Sequence, residues 1–452
     1  MRSPNRQLKD LLAELGWTQQ QAATRVGRVA REMGHASLET VGRSTISMWL
    51  AGAHPQDPAP EVLREALSRG LGRPVGWEEI GLDAPPVPPP AAGWQVDTLA
   101  ALADLGSGVD RRGFIGAAIY SVAELTLPDQ TWWHQSLERA RSRPTEHRSV
   151  SDDDVEAIRE ATTLFQRLDQ TRGGGYGARA ATVLLNDEVL PTLRRRTTSE
   201  AQRCDLFAAA GELVYVLGWS SFDAHRHGTA QHYLQLATKL AAEAGDRALV
   251  GHILRALAHQ AMDLGHHQQA AALTDAATSC YDIASSRERA LLGVVHARSL
   301  ARTGDPKGAS RALLRAEDDL SDATGGEDAE PSRVWFFGQA SLAHETARTL
   351  QAMGDLTGAQ AAFERSVQLR EGSFSRTHAV TLGYLGEIQA ARGEMDAACA
   401  TWSRALDAMD GVRSGRARAT VQTMRSTLST VRRRGIPAAD AVDRRAAEIL
   451  RG

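Results

Sequence analysis

A pattern of small and bulky residues repeats along the C-terminal half of the 452-residue chain. Each unit begins with a small residue. Counted from that residue, a Gly or polar residue lies at +7, Ala at +12, a bulkier residue at +16 and a second small residue at +19. This spacing predicts a helix, a tight turn and a second antiparallel helix, with small residues where the two helices touch. The pattern occurs in five segments, which begin at Gly218, Ala258, Ala297, Ala347 and Gly386.

A single helical hairpin cannot bury its apolar face alone, so consecutive hairpins are expected to stack into an α-solenoid. The repeat resembles the tetratricopeptide repeat, and Leu217-Gly218 matches the Leu-Gly pair of that family. The unit is a few residues longer than the family's, and it lacks the usual Pro near the end of the second helix. An irregular helical bundle is the alternative architecture.

The remaining sequence is rich in Ala, Leu, Arg, Glu and Gln and shows little β-branched alternation, which also favours helices. The segment GLDAPPVPPPAAG (81–93) cannot continue a helix and is typical of an extended linker. A polar, acidic break at 321–332 predicts a loop between repeats. We therefore expect an all-α protein in four parts: a helix-turn-helix domain (1–82), a Pro-rich linker (83–108), a helical connecting region (109–198) and a tetratricopeptide-like array (199–452).

The N-terminal region begins with leucines at helical spacing over residues 5–15, and Gly16 is expected to end this first helix. Thr18 is suited to cap the N-terminus of a second helix. Further along, Ile46, Trp49 and Leu50 fall at positions i, i+3 and i+4 and predict the buried stripe of a third, short helix.

The rest of that third helix carries small hydroxyl side chains, which are then expected on its exposed face. Ser44 is a candidate N-cap for this helix, and Gly52 is expected to stop it. Small hydroxyl residues on an exposed short helix suit contacts with base edges and phosphates in a DNA major groove.

These segments resemble the helix-turn-helix of the phage-repressor-like (xenobiotic-response-element) family. LKDLLAELGWTQQQAA matches its first helix and the opening of its second, and RSTISMWLAGAHP matches its recognition helix. The resemblance implies that the opening of the second helix contacts phosphate and that the exposed start of the third reads bases. The candidate DNA-binding residues are Thr18, Gln19, Gln20, Arg43, Ser44, Thr45, Ser47 and Met48.

The chain departs from that family in the insertion TRVGRVAREMGHASLETVG, which predicts an extended second helix and a longer loop. Arg25, Arg28 and Arg31 follow one another at three-residue spacing along this extension. They would either line DNA phosphates or form an ordinary solvated helix face.

The resemblance to tetratricopeptide arrays implies that the first helix of each unit lines a concave groove. Such a groove would be aromatic at one end and cationic along its middle, which suits an acidic peptide or a C-terminal carboxylate. The alternative is a set of solvated helix faces. The positions carried over are Tyr215, Trp219, Phe222, His252, Arg255, His259, Arg298, Arg302, His344, Arg348 and Gln351.

Other classes of function find little support. The net charge of −3 means that nucleic-acid binding must rely on a local patch. Phosphate-binding, hydrolase and metalloprotease motifs are missing, and the histidines at 225–227 and 266–267 have no carboxylate or Cys at ligand spacing, so we predict no enzyme, metal or cofactor. Three widely spaced cysteines and the N-terminal sequence MRSPNRQLKD favour a cytoplasmic protein.

The head and the repeats together resemble large actinobacterial regulators that join such a domain to a tetratricopeptide array, and VDRRGFIGAA (109–118) adds to the likeness. That resemblance implies a sequence-specific transcription regulator, often a repressor, of differentiation or secondary metabolism. Its partners would be double-stranded DNA, a second copy of the chain, and a peptide or protein in the groove. A protein-interaction scaffold that never meets DNA is the competing function.

Overall fold

The structure is a computed structural model that describes residues 4–33, 35–73, 75–82, 94–108, 120–143, 145–323, 330–370, 374–431 and 437–451. Within these ranges the chain is almost entirely helical, and its β-structure is one parallel pair formed by β1 (Glu146–Ser149) and β2 (Arg195–Arg196). The predicted all-α fold is therefore confirmed. None of the helices in these ranges has the length and apolar composition needed to cross a bilayer.

The N-terminal helices, which we call the head, pack around a core of their own. Leu8, Val26, Trp49 and Leu63 belong to this core and are buried. A 3₁₀ turn at Ala36–Leu38 lies in the segment between the second and third helices. The head helices are α1 (Arg6–Glu14), α2 (Gln19–Glu32), α3 (Arg43–Leu50), α4 (Ala59–Leu71) and α5 (Trp77–Ile80).

The region after the head differs from the predicted linker. Residues 83–93, with the proline run, and 109–119, with the VDRRGFIGAA motif, lie outside the described residues. The remainder of the predicted linker is not extended: residues 98–108 form a helix, because Leu99, Leu102 and Leu105 give it an apolar side that packs into the array's core. The helices of this region are α6 (Thr98–Gly108), α7 (Gln130–Arg141), α8 (Asp152–Arg172), α9 (Gly174–Leu184) and α10 (Leu190–Leu193), with a 3₁₀ turn at Ala123–Leu125 and a π-turn at Leu185–Val189.

The array consists of consecutive antiparallel hairpins, as the repeat predicted, followed by two further helices. Residues 324–329, within the expected acidic loop, lie outside the described part of the chain. The helices are α11 (Glu200–Asp223), α12 (His227–Ala244), α13 (Arg247–Asp263), α14 (His267–Thr278), α15 (Ser286–Thr303), α16 (Pro306–Ser321), α17 (Gln339–Ala352), α18 (Leu356–Leu369), α19 (Ser375–Ala391), α20 (Met395–Ala408), α21 (Gly415–Val431) and α22 (Pro437–Arg451).

The small positions of the repeat lie where the paired helices meet. Ala258, Ala297 and Ala347 are fully buried. A Cβ atom on Gly386 would lie 2.3 Å from the indole nitrogen of Trp402, so this close helix contact tolerates no side chain. The small residues are thus explained by the separation of the helices within each hairpin.

The turn position of the repeat requires a left-handed backbone. Gly265 has a φ of +89°, and the equivalent residue of the first unit, His225, has a φ of +60°. Among the described residues His225 is the non-glycine residue with positive φ, a conformation that costs roughly 1–2 kcal/mol for residues with a Cβ.

The array also closes on itself, which the repeat did not predict. Helices α8 and α11 contact the N-terminal ends of α19 and α21. The backbone N–H of Arg413 donates to the carbonyl of Arg172, and the N–H of Gly175 donates back to the carbonyl of Arg413 at 3.1 Å. The beginning and the end of the array therefore pack directly against each other.

Candidate functional sites

The first candidate site is the exposed face of α3. Ile46 and Trp49 are buried, whereas Leu50 is half-buried against the same core. The opposite side is open to solvent, with Met48 54% exposed. Of the predicted base-reading residues, four are exposed and Thr45 is half-buried; the exposed four are Arg43, Ser44, Ser47 and Met48.

The N-cap prediction for α3 is wrong. Gly42 occupies the N-cap with an extended backbone and contributes no side-chain hydrogen bond. Ser44 therefore lies inside the first turn, where its hydroxyl is exposed. This leaves the hydroxyl available to an external partner.

The opening of α2 lies beside the opening of α3. Thr18 caps α2, as predicted, and forms a reciprocal capping box with Gln21. The side-chain oxygen of Gln19 accepts a hydrogen bond from Nε of Arg43 at 3.4 Å, while Gln20 is exposed beside it. The start of α2 and the start of α3 are thus adjacent on the head.

The predicted extension of α2 is present, and its three arginines are exposed. Their surroundings differ, because the guanidinium of Arg25 lies 5.6 Å from the ring centre of Trp17 and Arg31 pairs with Glu39 at 3.4 Å. For Arg28, which is also exposed, no contact of either kind with another described side chain is found.

The second candidate site is a cavity of about 630 Å³ on the inner side of the array, which we call the arginine cavity. Arg298, Arg302 and Arg348, all predicted groove residues, line it together with Arg416. The carboxylates facing them belong to Asp263 and Glu387. The remaining lining residues are Phe222, His225, His227, Met262, Leu264, Gly265, His267, Tyr384, Ala419, Thr420 and Thr423.

Several pKa values at the arginine cavity reflect crowded positive charge. Partial desolvation lowers the pKa of Arg302, and the neighbouring guanidinium groups of Arg348 and Arg298 lower it further. Although burial alone would raise it, the pKa of Asp263 is held below its ordinary value by Arg298, Arg416 and Arg348. Burial raises the pKa of Glu387 to about 7 against the opposing effect of Arg348.

A second, smaller cavity of about 80 Å³ is lined by four more of the predicted groove residues, Trp219, Arg255, His259 and His344. Arg416 lines both cavities. Burial places the pKa values of His259 and His344 well below the ordinary value, so both rings are neutral near pH 7. The positive charge of this region therefore comes from arginines and not from the predicted histidines.

Three predicted groove residues, Tyr215, His252 and Gln351, line neither of these two cavities. Tyr215 and His252 are buried against each other, with ring centres 4.7 Å apart, and Arg255 donates to the Tyr215 hydroxyl at 2.9 Å. The structure assigns both to the packing between α11 and α13, because their apolar ring faces fill space between these helices.

Sequence reasoning missed the contribution of α19 and α21. Tyr384 and Glu387 come from α19, and Arg416 comes from α21, beyond the fifth repeat. The guanidinium of Arg348 lies 4.2 Å from the ring centre of Tyr384, and that of Arg416 lies 5.3 Å from the ring of Phe222. Because α21 lies outside the repeat pattern, the sequence gave no signal that this helix completes the cavity.

The histidine pairs considered for metal binding have other environments. His266 is buried beside Glu65, and burial lowers the pKa of His227 to about 3. In the described ranges, groups of three or more His, Cys, Asp or Glu side chains that could hold a metal ion are not found.

Comparison with models of known protein families finds a match in the head. A family model described as the SP15 N-terminal domain matches residues 8–83, which span the helices of the head. None of the curated proteins compared with the chain matches it.

Proposed function

We propose that the chain is a sequence-specific DNA-binding transcription regulator. The observation that carries this proposal is the exposed face of α3, where Arg43, Ser44 and Ser47 lie open to solvent beside Gln19. Short polar side chains and one arginine on an exposed helix have the chemistry needed to contact base edges and phosphates. The array contacts the head through α4, so this face is left uncovered.

The regulator is proposed to act in the cytoplasm, on the nucleoid, as a homodimer. Two heads would then occupy half-sites about one DNA turn apart or a multiple of it. The resemblance to actinobacterial regulators favours repression of differentiation or secondary metabolism. The array would supply the dimer contacts, a sensor site for a peptide or other effector, or both.

The experiment is selection of the full chain against a pool of random DNA duplexes, followed by a salt titration on the enriched sequence. A regulator should enrich one motif and lose affinity steeply with salt, because phosphate contacts release counterions. Arg43→Ala should weaken binding to the motif by roughly 1–3 kcal/mol and relax its sequence preference. Arg311→Ala, at an exposed position of α16, is the matched control and should bind like the parent chain.

The competing function, a scaffold without DNA binding, gives a different result. The pool would yield no motif, and the salt dependence would be shallow. That outcome would overturn the regulator proposal.

A further inference from the structure

The arginine cavity holds a guanidinium group that is buried and only partly satisfied. The side chain of Arg298 is 3% exposed, and its nearest carboxylate oxygens, on Glu345 and Asp263, lie at 3.4 and 3.6 Å. Among the residues that the structure describes, none accepts a hydrogen bond from its Nε or Nη2 atom. A buried donor without a partner costs about 1–3 kcal/mol, more when it is charged, and an anion in the cavity would remove that cost.

The neighbouring charges favour a ligand with more than one negative group. Arg302, Arg348 and Arg416 line the same cavity as Arg298, against the carboxylates of Asp263 and Glu387. Arginine forks bind phosphate and carboxylate groups through paired hydrogen bonds. The cavity is lined by four guanidinium groups and two carboxylates, and a single monovalent anion would compensate only half of that surplus of two positive charges.

The size of the cavity and the closure of the array favour a small molecule over a peptide. About 630 Å³ lies within the range of roughly 300–1,000 Å³ typical of small-molecule sites. An extended peptide bound along a solenoid needs an open groove, yet here α21 packs against the end of α11. A Cβ atom on Gly415 would lie 2.9 Å from the carbonyl carbon of Ala224, which shows how closely the two ends meet.

The cavity is also joined to the head through one turn, 264–267. Leu264, Gly265 and His267 line the cavity. The intervening residue, His266, is buried on the other side, where its Nε2 lies 3.5 Å from Oε1 of Glu65 on α4.

Further contacts fix the head to this turn. The ring of His266 stacks on Tyr120 with centres 5.6 Å apart. The side chain of Gln269 donates to the carbonyl of Gly72 at 2.9 Å. A displacement of the turn therefore acts directly on α4 and the residue that follows it.

We propose that the arginine cavity binds a small polyanion and that the 264–267 turn transmits its occupancy to the head. The second half of this inference rests on the proposed function, because it gives the array a means of controlling the DNA-binding head. The shared chemistry of the ligand is two or more phosphate or carboxylate groups within one small molecule.

The binding test uses calorimetry on the full chain with inorganic pyrophosphate, ATP, citrate and an acidic hexapeptide as probes. We expect pyrophosphate or ATP to bind if phosphate is the preferred group, and citrate to bind if carboxylate is preferred. Arg302→Gln with Arg348→Gln should weaken that binding at least tenfold. Arg311→Gln with Arg365→Gln, at exposed array positions, should leave it within twofold.

Binding of the hexapeptide alone, or loss of affinity equal in the cavity variant and the control variant, would overturn the ligand assignment. Absence of binding by all four probes would overturn it as well. Arg302 is exposed and Arg348 half-buried, so this pair is chosen in preference to Arg298, whose replacement risks unfolding.

The coupling test measures hydrogen exchange of α4 with and without the probe that binds. Bound probe should change exchange in α4, and His266→Ala and Glu65→Gln should both abolish that change while affinity for the probe stays within twofold. If the probe changes exchange in α4 of both variants as much as in the parent chain, the coupling is overturned. If the probe binds and α4 responds but no DNA motif is ever enriched, the proposed function fails and this inference stands.

Discussion

The guanidinium of Arg376 lies 3.1 Å from the carboxylate of Asp223, a residue 153 positions earlier in the chain, and both side chains are buried. Asp223 also accepts hydrogen bonds from the backbone N–H of Gly174 and the hydroxyl of Ser414. A second carboxylate, that of Asp169, lies 3.1 Å from another nitrogen of Arg376. One ionic cluster thus joins α8, α11, α19 and the start of α21.

We predict that Arg376→Met destabilises this junction by about 3–5 kcal/mol, because it leaves two buried carboxylates without their cation. Burial already raises the pKa of Asp169 to about 6, which shows how poorly its charge is solvated. The measurement is urea unfolding of the full chain, with hydrogen exchange in α8 and α21. Arg365→Met, at an exposed position of α18, is the control, and equal effects of the two substitutions would contradict the prediction.

Within α3, substitutions at two adjacent residues should have very different effects on the stability of the head. Trp49→Ala should cost the head about 3–5 kcal/mol, because it empties a position that is only 6% exposed. Met48→Ala, at the neighbouring exposed position, should change stability by less than about 0.5 kcal/mol. Hydrogen exchange of α1 and α4 in the full chain measures both, and a large loss of protection in Met48→Ala would show that the exposed face is misassigned.

The repeat could be predicted from sequence because its determinants are local and periodic. Small residues recur at fixed positions in each hairpin, so they form a regular pattern in the sequence. Ala258 and Ala297 are buried and Gly265 has a positive φ, as this pattern implies. The exposed face of α3 was predictable for the same reason, since helical spacing separates Ile46 and Trp49 from their neighbours.

Closure of the array could not be predicted in this way. Arg376 and Asp223 meet across five repeat units, and a pair contact at that separation has no period to reveal it. For the same reason the sequence did not reveal the role of Arg416, which lines the arginine cavity from a helix outside the repeat pattern. The burial of Tyr215 and His252 was not predictable either, because spacing gives the face of a helix but not how deeply the next helix covers it.

The extension of α2 should reveal which of its arginines approach DNA. We predict that Arg28→Ala weakens binding similarly for all sequences and lowers the slope of log affinity against log salt by about 1, because it removes one phosphate contact. Arg31→Ala should have a smaller effect, since Arg31 already pairs with Glu39. Fluorescence anisotropy over a salt series measures both slopes. Slopes unchanged in Arg28→Ala would identify this side of α2 as an ordinary solvated face.

Glu387 should make anion binding in the arginine cavity depend on pH. Its pKa is raised to about 7, chiefly by burial, so the side chain is neutral at lower pH and carries a negative charge at higher pH. Affinity for an anion should therefore fall as pH rises through about 7. The fall should be roughly tenfold for an anionic charge about 6 Å from Glu387 at an effective dielectric constant near 40. The probe is ethane-1,2-disulfonate, whose charges do not titrate near neutral pH, and calorimetry at pH values on either side of 7 measures the change. Glu387→Gln should bind the probe with nearly constant affinity over this range. A fall of the same size in Glu387→Gln would assign the pH dependence to another group lining the cavity.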